Sequence, residues 1–227
     1  TAAAYAASIT LGAGQFCTNP GLLIGTKGDS LELFIKELGN RIRKASRDRM
    51  LHPGIVKAFA EKRAAALSQK GVELVASSEL PAAEDLAGWP SLARTTAETF
   101  LNNPLLHQEV FGPYSIVIEC ADMNEMEKVA RALEGQLTST LMGTDEELKA
   151  CPSLLAAVSD ICGRLIINGV PTGVEVVQSM QHGGPFPATT DSRFTSVGAD
   201  GIKRFARPLA FQNWPDSLLP PELQNAN

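Results

Sequence analysis

Three features of the sequence predict an α/β fold, three-layered, with a largely parallel sheet between flanking helices. Short apolar runs recur at strand length: "GLLIG" at 21–25, "YSIVIEC" at 114–120, "LTSTLMG" at 137–143 and "RLIING" at 164–169. Segments with apolar residues at helical spacing separate them, and parallel pairing requires such crossovers. Glycines and prolines bound the runs and supply the turns.

Taken in order, the alanine-rich residues 1–11 suit a helix that ends at Gly12 or Gly14. "GLLIG" then reads as a buried strand. Asp29 or Ser30 caps a helix whose Leu31, Phe34, Ile35, Leu38 and Ile42 share a face. A second amphipathic helix over 53–69 carries Ile55, Val56, Phe59, Ala60 and Leu67, with Gly71 as its stop. "VELVA" (72–76) and "RTTAETFL" (94–101) read as strands, and "YSIVIEC" as a third after the Gly112-Pro113 turn. A helix over 124–135 closes at Gly135, and Pro152 interrupts the helical stretch between "LTSTLMG" and "RLIING". Residues 170–198 are rich in Gly, Pro, Ser and Thr, and a connection of that length reads as a site-lining loop. A short helix over 199–206 leads to "PLAFQNW", an edge-strand candidate, and to a tail that needs a neighbour to order it.

The 227 residues suffice for one large domain or two small ones. The net charge of −5 and the interleaving of Arg41, Arg43, Lys44, Arg47 and Arg49 with Glu32, Glu37 and Asp48 describe a solvated helix face, not a nucleic-acid surface. No apolar run approaches the ~20 residues of a membrane span. The chain opens "TAAAYAASIT" with no methionine, no basic residue before Lys27 and no signal-peptide pattern, which suggests processing or a piece of something longer. Cys17, Cys120, Cys151 and Cys162 form no C-x-x-C pair, which favours a reducing, cytoplasmic setting, and Cys120 and Cys162 read as small buried hydrophobes. His52, His107 and His182 lie far apart, with no metal-ligand spacing.

"LGAGQFCTNPG" (11–21) admits two readings. Gly12-Ala13-Gly14 looks like the start of a phosphate loop, but a dinucleotide fingerprint needs a strand before it and a helix after it, and here that order is reversed. Alternatively, Cys17 is a nucleophile on a flexible turn, where small neighbours admit a carbonyl and backbone N–H groups can stabilise an oxyanion. Downstream, "HQEVFGPYSIV" (107–117) places Glu109 and Phe111 before Gly112-Pro113 at a strand entrance.

With Cys17 and Glu109 92 positions apart, "GQFCTNPG" and "QEVFGP" together resemble the aldehyde dehydrogenase superfamily, which carries a G-Q-x-C segment and an E-x-F-G-P segment at about that spacing. "MQHGGPFPATTDSRFTSVG" replaces the family's usual P-F-G-G-x-K-x-S-G. This variant, and the ending "RFARPLAFQNWPDSLLPPEL", are similar to the branch of 2,5-dioxovalerate (α-ketoglutarate semialdehyde) dehydrogenases. The resemblance implies oxidation of an aldehyde such as 2,5-dioxopentanoate by NADP or NAD, through a Cys17 thiohemiacetal and thioester. It implies that Glu109 binds the nicotinamide ribose, that Phe111 packs near the nicotinamide, and that Phe16 and Thr18 line the aldehyde pocket. His182, Phe186 and Ser192 are candidates without assigned roles, and Arg193 is a local candidate for a diacid's far carboxylate. It further implies a catalytic domain over 1–207, a C-terminal oligomerisation or packing tail over 208–227, and a homodimer or homotetramer. The general base, the oxyanion asparagine and the dinucleotide-binding domain are expected upstream of this chain, so the fragment alone is expected to be inactive.

Two other readings remain. A cysteine hydrolase or acyltransferase working without a nicotinamide would need His52, His107 or His182 brought to Cys17 by folding. A non-catalytic oligomerisation module would leave Cys17 inert.

Overall fold

The computed structural model describes residues 1–82 and 85–225. Four strands form one sheet, β1 (Leu22–Thr26), β2 (Glu73–Ser77), β3 (Ser91–Thr96) and β4 (Tyr114–Cys120), in the order β1-β4-β3-β2. β1 and β3 flank β4 in parallel, and β2 runs antiparallel to β3. A separate parallel pair joins β5 (Gln136–Leu141) to β6 (Cys162–Ile167). The α/β class and largely parallel pairing are as the sequence predicts. The strands, however, fall into two ladders, and one pairing is antiparallel.

The central strand β4 explains the three layers. All seven of its residues are buried, and successive side chains point to opposite faces. Ile116 and Ile118 join Phe59, Phe100 and Val129 on one face, beneath α3 (Pro53–Leu67), α4 (Ala97–Leu101) and α5 (Met123–Arg131). Val117 joins Ile9, Ile35, Leu38, Ile42 and Leu92 on the other, beneath α1 (Ala2–Thr10) and α2 (Asp29–Arg43). Each fully buried aliphatic side chain contributes about 1.5–3 kcal/mol. In α2, Asp29 and Glu32 in the first turn and Arg41 and Arg43 in the last complement the helix dipole. The expected side-chain cap is absent, because Gly28 occupies the N-cap position.

Several boundaries differ from expectation. "RTTAETFL" does not continue as strand: β3 starts earlier, at Ser91, and α4 starts at Ala97. The Thr96 hydroxyl accepts from the Thr99 N–H and caps that helix, which ends the extended run. α5 is capped by Asp122 and ends at Arg131, short of Gly135. Pro152 separates α6 (Asp145–Lys149) from α7 (Pro152–Ile161), as anticipated. Residues 170–198 contain no helix or strand, whereas Ala199–Phe205 forms 3-10 turns. "PLAFQNW" pairs with no strand. Phe211 instead packs on Trp214, at 5.7 Å between ring centroids, and both stay exposed together with Leu209 and Leu218. Residues 226 and 227 of the expected tail lie outside the described residues. Cys120 is buried, and burial pushes its thiol up to about 12; Cys162, expected to be buried, is only half-buried at the start of β6. Among the described residues, no helix is long and apolar enough to cross a membrane.

Candidate active site

The site is built where two distant motifs meet at the amino edge of the larger sheet. After α1, residues Gly12, Ala13 and Gly14 all adopt left-handed backbone, with φ of 57°, 54° and 68°. Ala13 pays a steric cost in that region and is held there by burial in the core. A Cβ on Gly14 would lie 2.3 Å from the Gly112 carbonyl carbon and from the Pro113 nitrogen. Gly14 therefore exists to let the "GQFC" turn rest directly on the "FGP" turn. Small residues beside a cysteine suggest substrate access, but at Gly14 the constraint is backbone packing. Asn19 Nδ2 donates to the Gly112 carbonyl at 2.9 Å, and the Gln15 side chain ties Leu51 N–H to the Gly12 carbonyl.

This scaffold leaves Cys17 exposed. Its backbone N–H meets no acceptor among the described residues and is available to an oxyanion. Cys17 Sγ lies 3.2 Å from Nε2 of His182, from the long loop. His182 is buried, and its position is over-determined. Its N–H donates to Thr195 Oγ1, and its carbonyl accepts from both Ser196 N–H and Ser196 Oγ. Glycines let the same loop press on the small sheet: a Cβ on Gly163 would lie 2.0 Å from the Gly183 carbonyl oxygen, and one on Gly184 2.2 Å from that of Gln136. Desolvation by burial, and secondarily the positive charge of Arg164, hold the His182 imidazole below its ordinary range. A neutral imidazole can accept the Cys17 thiol proton.

Cys17, Thr18, Glu109 and Phe111 line one open cleft of about 1840 Å³ between the β1 and β5 sides of the molecule. Glu109 is exposed; its carbonyl accepts from Lys62 Nζ, while its carboxylate has no partner among the described residues. Thr18 is only 5% exposed, and its hydroxyl donates to the Pro171 carbonyl at 3.0 Å. Phe16 is partly exposed, and its ring leans over Gly12. Phe186 is almost fully exposed, and Ser192 is exposed, with its carbonyl accepting from Gln181. Arg193 makes a 2.6 Å ion pair with its neighbour Asp191.

Among the histidines, only His182 reaches the thiol. His52 caps α3 through Nδ1, and His107 stacks on Phe100 while its Nε2–H donates to the Phe100 carbonyl. His182 was visible in the sequence as an unassigned candidate, but its contact with Cys17 spans 165 positions and has no local signal. Among the described residues, no group of three or more His, Cys, Asp or Glu is arranged to hold a metal ion.

The fold is that of dehydrogenase domains. Proline utilization A from Bdellovibrio bacteriovorus aligns with a TM-score of 0.71 at 18% identity, over 90% of this chain and 21% of that one. Lactaldehyde dehydrogenase from Escherichia coli aligns at 0.66 and 17% identity, over 81% of this chain and 38% of that one. A 1-pyrroline-5-carboxylate dehydrogenase aligns at 0.66 and 19%, over 81% and 35%. The sequence comparison narrows the likeness. Alpha-ketoglutaric semialdehyde dehydrogenase 2 of Azospirillum brasilense is 42% identical over 226 residues, 100% of this chain and 43% of that protein. The alpha-ketoglutaric semialdehyde dehydrogenase of Acinetobacter baylyi is 42% identical over 97% of this chain and 42% of its own length. The chain thus spans less than half the length of the curated relatives it matches, and its resemblance to aldehyde dehydrogenases holds along nearly all of it. No family model matches.

Proposed function

We propose that this chain is the cysteine-bearing catalytic part of an NAD(P)+-dependent aldehyde dehydrogenase, cytoplasmic, acting on a semialdehyde such as 2,5-dioxopentanoate. The observation that carries the reading is the meeting of the two motifs: Gly14 packs on Gly112-Pro113, and Cys17, Glu109 and Phe111 line the same cleft. The names of the 42% identical relatives support the substrate class.

The nicotinamide end of NAD(P)+ fits the residues present, since the unpartnered Glu109 carboxylate can accept from a ribose hydroxyl and Phe111 offers an aromatic wall. When bound, NAD(P)+ supplies the hydride acceptor that turns a thiohemiacetal into a thioester. Cys17 Sγ gives its proton to His182 Nε2 and bonds to the aldehyde carbon. The carbonyl oxygen takes the negative charge and is met by the Cys17 N–H. Water then adds to the Cys17 thioester, the C–S bond breaks, the leaving thiolate takes back the proton held on His182, and the acid leaves as its carboxylate while the protons of water pass to solvent. In this reading Phe16 and Thr18 flank the aldehyde. The catalytic domain covers 1–207, and 208–227 serves oligomerisation in a homodimer or homotetramer. The general base, a second oxyanion donor and most of the dinucleotide contacts belong to a part outside this chain. Purified chain mixed with aldehyde and either nucleotide is expected to yield no steady NAD(P)H. Sustained production, followed by absorbance, would overturn that assignment.

One observation favours a second reading. The 3.2 Å Cys17–His182 contact is also the minimum equipment of a cysteine acyltransferase that needs no nucleotide. Turnover of a thioester without nucleotide, lost in His182→Ala and absent for aldehydes, would favour it over the dehydrogenase.

A further inference from the structure

The 170–198 loop is pinned at its start as well as at His182, and one side chain of β6 is responsible. Arg164 Nη2 donates to the Pro171 carbonyl at 2.8 Å and Nη1 to the Gly173 carbonyl at 3.2 Å. The Pro171 carbonyl also receives the Thr18 hydroxyl, so a single oxygen links Arg164 to the residue following the nucleophile. Thr172 continues the seam, with its Oγ1 2.5 Å from Ser8 Oγ. No carboxylate pairs with Arg164 among the described residues, and its buried Nε has no partner at all. A partly buried guanidinium without a carboxylate depends on hydrogen bonds to offset its desolvation, and the Pro171 and Gly173 carbonyls supply them here. Arg164 acts electrostatically on His182.

We propose that Arg164 is the positioning residue of the Cys17–His182 pair: it fixes the Pro171 carbonyl shared with the nucleophile turn and the Gly173 carbonyl beyond it, and so brings its positive charge to the loop that carries His182. The inference rests on the reading of Cys17 as the nucleophile. The titratable or charged groups facing His182 are Cys17, from the nucleophile turn, and Arg164, from β6. Behind the loop, Arg193 is held by Asp191, and Arg204 donates to the Phe194 carbonyl. The charge of Arg164 opposes an imidazolium and so favours the neutral imidazole, the form that can accept a proton from Cys17. Arg, rather than Lys, suits the task because its planar fork can hold two carbonyls at once.

The test separates the charge from the fork. In Arg164→Met, the His182 titration midpoint, followed by NMR of its ring protons, should rise towards the ordinary histidine value. In Arg164→Lys, which keeps the charge, that midpoint should stay near the parent value, while Cys17 alkylation by iodoacetamide changes several-fold because the Pro171–Gly173 anchor is lost. An unmoved or lowered midpoint in folded Arg164→Met would overturn the electrostatic role, and parent-like alkylation in Arg164→Lys would overturn the anchoring role. Should Arg164→Met fail to fold, a rise of the Arg164→Lys midpoint above the parent value would overturn the electrostatic role instead. Neither readout uses aldehyde or nucleotide, so failure here is distinguishable from failure of the dehydrogenase reading, which would appear as an unreactive Cys17.

Discussion

Cys17 Sγ and His182 Nε2 lie 3.2 Å apart, although 165 positions separate the two residues. Neither is free to drift. The first is carried on a turn whose Gly14 rests on Gly112-Pro113, and the second on a loop fastened by Thr195, Ser196 and the small sheet. A flexible-looking segment thereby becomes one wall of a fixed pair.

Because the imidazole of His182 is held below its ordinary range, the unfolded chain binds its proton more readily than the folded one. The stability this residue contributes is therefore fully present above its unfolded value of about 6.5 and is lost as pH falls through its lower folded value. Denaturant midpoints measured from pH 7.5 down to pH 5 should fall more steeply for the parent chain than for His182→Gln. The same variant should slow Cys17 acylation by a p-nitrophenyl ester by about a hundredfold or more, the lower reach of general-base catalysis.

Gly14→Ala should be among the most damaging single-carbon changes. Its Cβ would lie 2.3 Å from backbone atoms that cannot swing away, at a φ of 68°. A loss of about 2 kcal/mol or more is expected, seen as a drop of roughly 4–8 °C in Tm for a chain of this size. Gly21→Ala, with nothing within 4 Å of the added carbon, should stay within about 1 kcal/mol of the parent.

Arg94 bridges Glu119 on β4 and Glu32 on α2, and Glu119 is buried. These carboxylates hold the Arg94 guanidinium above its ordinary range. Arg94→Leu leaves Glu119 unpaired, and urea unfolding should show a loss of about 3–5 kcal/mol. Lys57→Ala, which breaks the exposed pair with Glu61, should cost less than about 1 kcal/mol.

The tail exposes Leu209, Trp214, Leu218 and Leu223 rather than packing them on the core. Deleting residues 208–227 should leave Tm within a few degrees of the parent while abolishing any self-association seen by analytical ultracentrifugation. A large fall in Tm would assign the tail to the fold instead.

Cys17 and the other cleft residues were legible as candidates because each sits in a short local pattern, "GQFCTNPG" or "QEVFGP". The strands β1, β4, β5 and β6 were legible because apolar runs bounded by glycine or proline leave little else to form. The boundary between β3 and α4 was not, because threonine suits both a strand and a helix cap, and only the Thr96–Thr99 hydrogen bond decides between them. Likewise "PLAFQNW" has strand composition, but no neighbouring edge accepts it. His182 was one of three histidines that folding could bring to Cys17, but nothing local selected it, and Arg164 gave no signal of its contact with the loop. Their roles come from where residues 170–198 cross the sheet, and that path depends on close backbone approaches at Gly163 and Gly184.

Whether Cys17 is the aldehyde nucleophile can be tested with neither nucleotide nor the general base expected outside this chain. The chain is mixed with 2,5-dioxopentanoate carrying 13C at the aldehyde carbon, and 13C NMR is searched for a protein-bound thiohemiacetal. A new resonance is expected that disappears in Cys17→Ser and persists in Cys151→Ser and Cys162→Ser. A spectrum with no such resonance, or one that survives Cys17→Ser, would contradict it.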